Sequence, residues 1–299
     1  MGVALTAVEY APEGGGTDAE VGWFTASDGI ELAYRRWQPA DGTLAQHHRD
    51  LVLILHGLGE HSGRYDGLAQ RLVAAGYSVL AMDLRGHGRS PGRRGVIPHW
   101  DRYLDDLGAF LNGFSVDEGL GRQANIIWFC HSMGALLGLD ALLHRGLRAD
   151  AFIASAPAVG PLPAPPWLAR LVPLAARVAP RLVLPWRLSV ASLSRDTRAQ
   201  RVCRSDALNH RRISPGLIQH MQQAKLRVWA DATRLDCPLL ILQGGADPIA
   251  DPGATRRFAD ALPAGLVRLH EYPHGVHELV HDSDSELVMA DLVLWLQEL

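Results

Sequence analysis

Ser132 lies in the run Ile126-Ile127-Trp128-Phe129-Cys130-His131-Ser132-Met133-Gly134-Ala135, where an apolar stretch gives way to a helix-forming one. A serine on a tight strand-to-helix turn is lifted to the carboxyl edge of a sheet. The helix that follows turns free N–H groups toward a reacting carbonyl. The chemistry open to such a residue is nucleophilic attack on an acyl carbon. Taken alone, a serine there is equally a helix cap, so its partners decide the reading. His56-Gly57-Leu58-Gly59-Glu60-His61 follows an earlier apolar run. A flexible turn there aims the Leu58 N–H at the space above Ser132, and with the Met133 N–H it makes a two-donor oxyanion hole.

A nucleophilic serine also needs a base and an acid to orient that base, and on this architecture they follow the serine in the order acid, then histidine. Gln243-Gly244-Gly245-Ala246-Asp247-Pro248 comes directly after the apolar run Leu239–Leu242, which puts Asp247 at a strand's carboxyl end. Glu271-Tyr272-Pro273-His274-Gly275-Val276-His277-Glu278 follows the last strand-like run. His277 is the base on this reading, with His274 second and His281 third. Any one Asp or His is ordinary in a solvated loop. Three such residues at three strand ends, in the required order, make Ser132, Asp247 and His277 a triad. A competing pattern is Gly57-x-Gly59 with Gly63, set between a strand and a helix, with Asp83 ending the next strand. It approaches the dinucleotide-binding fingerprint. The third glycine is displaced by one position, since residue 62 is Ser, and that reading leaves the serine turn unexplained.

The elements that must hold these residues are legible as alternating patterns. Val21–Ala26 and Ile30–Trp37 flank Asp28-Gly29, a two-residue hairpin signal. Leu51–Leu55 is apolar on both faces, as a buried parallel strand requires. Further strands are expected at Tyr77–Met82, Asn125–Phe129, Ala151–Ala154, Leu239–Leu242 and Leu266–His270. Between them, helices are expected around Leu68–Val73, Trp100–Phe114, Ala135–His144, Phe258–Leu262 and Ser285–Leu296. Strands alternating with helices imply an α/β protein with a mostly parallel sheet covered on both sides. Residues 1–20, with Gly14-Gly15-Gly16, read as a flexible lead-in, and 21–156 with 237–299 as the core. Residues 157–236 read as a mainly helical insertion after the fifth or sixth strand, punctuated by eight prolines from Pro157 to Pro185.

Composition narrows the classes. The 299 residues are 47 % apolar and 20 % charged, which suits a folded domain with a sizeable core and excludes disorder or coiled coil as overall descriptions. A net charge of −3 argues against a nucleic-acid partner. Cys130, Cys203 and Cys237 are too few and scattered for a disulfide framework or a zinc site, and the odd count suits a reducing compartment. Met1–Tyr10 has neither a basic head nor a long apolar run, so no secretory leader is expected. No apolar stretch reaches spanning length. The expectation is a cytoplasmic protein with no cofactor and no metal.

The motifs together resemble the monoacylglycerol lipase and lysophospholipase branch of the α/β-hydrolases. The resemblance rests on His56-Gly57-x-Gly59-Glu60-His61 with Arg64-Tyr65, on Asp83-x-Arg85-Gly86-His87-Gly88-x-Ser90, and on His131-Ser132-Met133-Gly134. Leu193-Ser194-Arg195-Asp196, Gly244–Asp247 and His277-Glu278 extend it over roughly residues 20 to 299. It implies an α/β-hydrolase fold, Ser132, Asp247 and His277 as catalytic residues, and Leu58 and Met133 as oxyanion donors. It also implies that 157–236 caps an acyl pocket. Cys130 stands where the pattern has a small Gly or Ala, and Ala135 where a second Gly is common; both bear on the geometry of the turn. Arg85 and His87, alternating with Gly86 and Gly88, read as a loop that orders itself rather than as catalytic groups.

In the insertion, Arg170, Arg177 and Arg181 fall near one face if the segment is a continuous helix. An apolar segment carrying such a face could make transient contact with an anionic membrane surface. The activity expected is cofactor-free hydrolysis of medium- or long-chain carboxylic esters through an acyl-enzyme, with monoacylglycerol or lysophospholipid as substrate. A general short-chain carboxylesterase is the alternative, and a non-catalytic binding protein on the same fold a further one. A peptidase lacks a clear acidic pair in the cap, and dehalogenases and epoxide hydrolases need Asp where this chain has Ser132.

Overall fold

The computed structural model describes residues 6–8, 19–39, 50–117, 124–186 and 188–299. In chain order the strands are β1 (Thr6–Val8), β2 (Glu20–Thr25), β3 (Glu31–Trp37), β4 (Leu51–Leu55), β5 (Ser78–Met82), β6 (Ile126–His131), β7 (Ala151–Ser155), β8 (Leu184–Pro185), β9 (Arg212–Ile213), β10 (Leu239–Gly244) and β11 (Val267–Tyr272). The helices are α1 (Asp66–Ala74), α2 (Asp101–Asp117), α3 (Met133–Arg145), α4 (Pro166–Val178), α5 (Thr197–Ser205), α6 (Pro215–Ala230), α7 (Pro252–Asp260) and α8 (Ser285–Gln297). The main sheet has the order β1-β2-β3-β5-β4-β6-β7-β10-β11. In that order β5, β4, β6, β7, β10 and β11 pair in parallel, and β1 to β3 form an antiparallel edge, while β8 and β9 pair antiparallel apart from this sheet. This is the α/β-hydrolase arrangement the motifs implied.

Alternation along each central strand divides the core in two. Leu53 and Leu55 face α2, α3, α6 and α7, where they pack with Phe110, Leu136, Leu217 and Phe258. Val52 and Ile54 face the other way, with Leu72 of α1 and Leu292 and Trp295 of α8. A period of two on a sheet covered on both sides produces this division. Every residue of β4, β7 and β10 is therefore buried.

Four details differ from the sequence reading. Within the expected lead-in, Thr6–Val8 pairs antiparallel with Val21–Trp23; the remainder up to Asp18 lies outside the described residues. β1 also makes β7 the seventh strand in order, so the insertion follows the seventh. Helix α7 begins at Pro252, six residues early, because Asp251 accepts hydrogen bonds from Gly253 and Ala254 and proline suits the first turn. In the insertion, α4 runs through Pro173 and ends at Val178, so Arg181 lies beyond it and the three arginines do not share one helix. Among the described residues, no helix is long and apolar enough to cross a membrane.

The loop after β5 is held from below. Asp83 accepts hydrogen bonds from the Ser62 and Arg89 N–H groups, both at 2.7 Å, and Ser90 Oγ bridges Asp83 O to the Ala33 N–H. Arg85 donates to the fully buried Asp106 from Nε (2.9 Å) and Nη2 (2.7 Å), and to Asp28. Removing one partner of a buried pair leaves an uncompensated charge. Arg85→Met is therefore expected to lower the unfolding free energy by about 3–5 kcal/mol in urea titration. A loss below about 1 kcal/mol would place this pair with the weak surface pairs instead.

Candidate active site

Because β4, β6, β10 and β11 run parallel, their carboxyl ends open onto one edge of the sheet, where ligands bind in open α/β folds. Residues 56–60 follow β4, Ser132 follows β6, Asp247 follows β10 and His277 follows β11. Ser132 adopts φ 52°, ψ −114°, a strained conformation for a residue with a side chain. The turn is that tight because α3 starts almost in contact with β4: a Cβ at Gly134 would stand 2.4 Å from Leu55 O. Cys130 is accommodated one turn further along α3, where Gly138 leaves room for its thiol; a Cβ there would meet Cys130 Sγ at 3.0 Å and the Phe152 ring at 2.8 Å. Burial pushes the Cys130 thiol well above its ordinary pKa, so it is an apolar filler.

The structure brings Ser132, His277 and Asp247 together. His277 Nε2 lies 3.0 Å from Ser132 Oγ, and His277 Nδ1 lies 2.8 Å from Asp247 Oδ2. The other Asp247 oxygen accepts the Ile249 and Ala250 N–H groups at 2.7 and 3.0 Å. A carboxylate has no proton to donate, so Nδ1 carries the imidazole proton and Nε2 is left to accept from the serine. His274 is exposed, and His281 donates from Nε2 to Arg64 O at 2.7 Å; neither meets Ser132. Leu58 and Met133 line the same cavity of about 410 Å³ as Ser132 and His277. Met133 opens α3, where its N–H has no acceptor within the helix.

Electrostatics favour the imidazolium. Burial is the largest influence on His277 and works against the charged ring. The Asp247 carboxylate, with help from Glu278 and Glu60, outweighs it and leaves the pKa above the ordinary 6.5. Further groups surround the site that the sequence reading quoted only as part of motifs. His131 packs against His277 with ring centroids 4.8 Å apart and planes tilted by 58°, and its Nε2 lies 3.3 Å from Glu60 Oε1. Glu60 also accepts from Tyr65 Oη at 2.7 Å. Burial opposes its charge, but His131 and Arg64 hold its carboxyl well below the usual range. Arg64 is ion-paired to Glu278 across 214 residues of sequence, a partnership no local pattern could signal.

Residues 46–284 match the protein family described as Serine aminopeptidase, S33. A monoacylglycerol lipase from Mycolicibacterium smegmatis is 28 % identical over 279 residues, covering 91 % of this chain and 95 % of that protein. A monoglyceride lipase from Mus musculus is 31 % identical over 273 residues, covering 89 % of this chain and 86 % of its own. Among solved structures, the monoacylglycerol lipase of Paleococcus ferrophilus superposes with a TM-score of 0.78 at 31 % identity, over 89 % of this chain and 98 % of that one. A soluble variant of the Saccharomyces cerevisiae monoglyceride lipase reaches a TM-score of 0.82 over 97 % of each chain; at 23 % identity that likeness concerns the fold alone.

If His277 accepts the serine proton, it must be neutral, so kcat/KM falls as pH drops through its pKa. The acid limb of the profile for a non-ionising ester is expected above pH 6.5. Asp247→Asn removes the raising influence and leaves burial dominant, so in that variant the limb moves to lower pH as the rate falls. A wild-type limb at or below 6.5, unmoved by the substitution, would contradict this assignment.

Proposed function

We propose that this chain, which belongs to the hydrolase family described as Serine aminopeptidase, S33, cleaves single-chain glycerol esters of medium- or long-chain acyl groups, with monoacylglycerol as first choice and lysophospholipid as second. The observation that carries the reading is the mixed lining of the cavity at Ser132. Leu162, Leu188, Leu193, Met221 and Ile249 offer an apolar lining for an acyl chain. Glu278, Asn209 and Trp186 also line it, and Glu278 Oε1, Asn209 Oδ1 and Trp186 Nε1 are buried without a hydrogen-bond partner among the described residues. Two acceptors and one donor suit the free hydroxyls of a glyceryl leaving group, since each hydroxyl both gives and accepts. Residues 157–236 then form the cap over this cavity.

In the mechanism, Ser132 Oγ attacks the acyl carbon while His277 Nε2 takes its proton. Asp247 holds the imidazole and stabilises its cation, and the Leu58 and Met133 N–H groups stabilise the oxyanion. Collapse of the tetrahedral intermediate breaks the ester C–O bond, and His277 returns its proton to the departing glyceryl oxygen. Water, deprotonated by the same imidazole, then releases the fatty acid and regenerates Ser132. The aminopeptidase named by the family description finds less support. Glu60 and Asp206, carboxylates that line the cavity, already lie against His131 and His61, and Arg64 balances the charge of Glu278, whose free Oε1 is left as an acceptor for a hydroxyl.

The cap also supports transient contact with an anionic lipid surface. Trp167, Leu171, Leu174 and Val178 recur at helical spacing along α4 and are 63, 48, 61 and 71 % exposed, with Arg170 and Arg177 on the same helix. An apolar stripe flanked by cations suits such a surface. Trp167→Asp with Leu174→Asp should abolish co-sedimentation with phosphatidylglycerol vesicles while hydrolysis of a dissolved short-chain ester persists; unchanged co-sedimentation would refute the contact.

For the activity itself, turnover of monooleoylglycerol, lysophosphatidylcholine and p-nitrophenyl esters should fall on the order of 10⁴-fold in Ser132→Ala with the fold retained. Equal turnover in the variant would end the serine reading. A preference for p-nitrophenyl acetate over the glycerol esters would favour a general carboxylesterase.

A further inference from the structure

Cap residues 209–213 are seated between two loops of the sheet domain more closely than side chains would allow. The His210 N–H donates to Gly59 O at 2.9 Å. A Cβ at Gly59 would stand 2.2 Å from His210 O, and in a second loop a Cβ at Gly95 would stand 2.4 Å from Arg212 O. Both glycines are left-handed, with φ of +84° and +74°. The cap backbone thus rests directly on the loop that carries Leu58.

A column of three histidines reinforces this seat. The His210 ring lies against His87 with centroids 4.7 Å apart, and His87 lies 5.1 Å from His56. Burial is the largest cause lowering the pKa of each, with His210 at about 4, so the column is uncharged near pH 7 and its rings do not repel. At the far end, His56 Nε2 accepts the Leu84 N–H at 3.0 Å, so its proton sits on Nδ1, which donates to Gly57 O at 2.8 Å. In a trans peptide the C=O and N–H point in opposite directions. Holding Gly57 O therefore turns the Leu58 N–H the other way. The turn is closed by the Glu60 N–H on Gly57 O at 3.4 Å, and Gly59 occupies the position where a type II turn requires positive φ. The peptide before Leu58 is thus held by His56, and the carbonyl of Gly59, one residue on, by His210.

We infer that His210 is a positioning residue for the oxyanion hole, so that the Leu58 N–H is correctly aimed only while cap residues 209–213 are seated. The inference rests on the reading of Leu58 and Met133 as oxyanion donors. It makes the cap a part of the catalytic apparatus as well as a cover for the acyl chain.

The test compares His210→Ala with His210→Phe, which keeps a ring against His87 and the same backbone. Two inhibitors of equal chain length separate the roles. A long-chain trifluoromethyl ketone forms a tetrahedral adduct whose oxyanion occupies the hole, whereas the matching ether cannot. His210→Ala is expected to lower kcat about 10- to 100-fold, less than outright loss of a donor, and to weaken the ketone by a similar factor. KM and ether affinity should change little, and His210→Phe should recover most of the loss. Gly95→Ala, which pushes the same segment at Arg212 without touching Leu58 or the rings, should reproduce the pattern if His210→Ala does not fold. Ketone and ether affinities that fall together, or a kcat equal to wild type, would overturn the inference. A wild-type enzyme that binds the ketone no better than the ether would remove the oxyanion hole itself, and the role of His210 with it.

Discussion

The approach of α3 to the end of β4 is the constraint on which the site depends. Gly134 lets the helix start close enough to Leu55 O that any side chain there would collide with it. That contact bends the chain at Ser132 into its strained conformation and sets the hydroxyl above the sheet edge. It also brings the first N–H of α3 toward the loop after β4, so Ser132 and the Leu58 and Met133 N–H groups are placed by one close packing. The strain at Ser132 is sustained because β6 is paired on both sides, with β4 and with β7, and Ser132 N–H donates to Ser155 O at 2.9 Å.

Charge completes what packing begins. His277 is buried, which alone would disfavour its cation, and Asp247 reverses that preference. Asp247 in turn is fixed by two backbone N–H groups, so it can answer the imidazolium without moving. Around this pair Glu278 is ion-paired with Arg64, and Glu60 accepts from Tyr65 and lies beside His131. A site with this much buried charge remains ordered because nearly every member has a partner.

Much of this could be read from the sequence, for identifiable reasons. Apolar runs such as Leu51–Leu55 announce buried parallel strands because both faces are covered. The chemistry then had to stand at the ends of those runs, where Ser132, Asp247 and His277 stand. What escaped depends on contacts between distant segments. Thr6–Val8 is too short for a periodic signal and is a strand only because β2 offers an edge. Pro173 lacks the N–H that a helix interior uses, yet α4 continues through it. The ion pair of Arg64 with Glu278, and the seat of His210 on Gly59, join residues more than 140 positions apart. Only Gly59 hints at the second, and a glycine in a sequence does not say what approaches it.

The central claim is that Ser132 forms a covalent acyl intermediate, and rapid mixing with p-nitrophenyl decanoate followed by acid quench and mass spectrometry tests it most directly. The account predicts a transient protein species heavier by one decanoyl group, with the modification mapped to the peptide containing Ser132. Acylation of another residue in its place, such as Cys203, or turnover with no acylated species at any time, would contradict it.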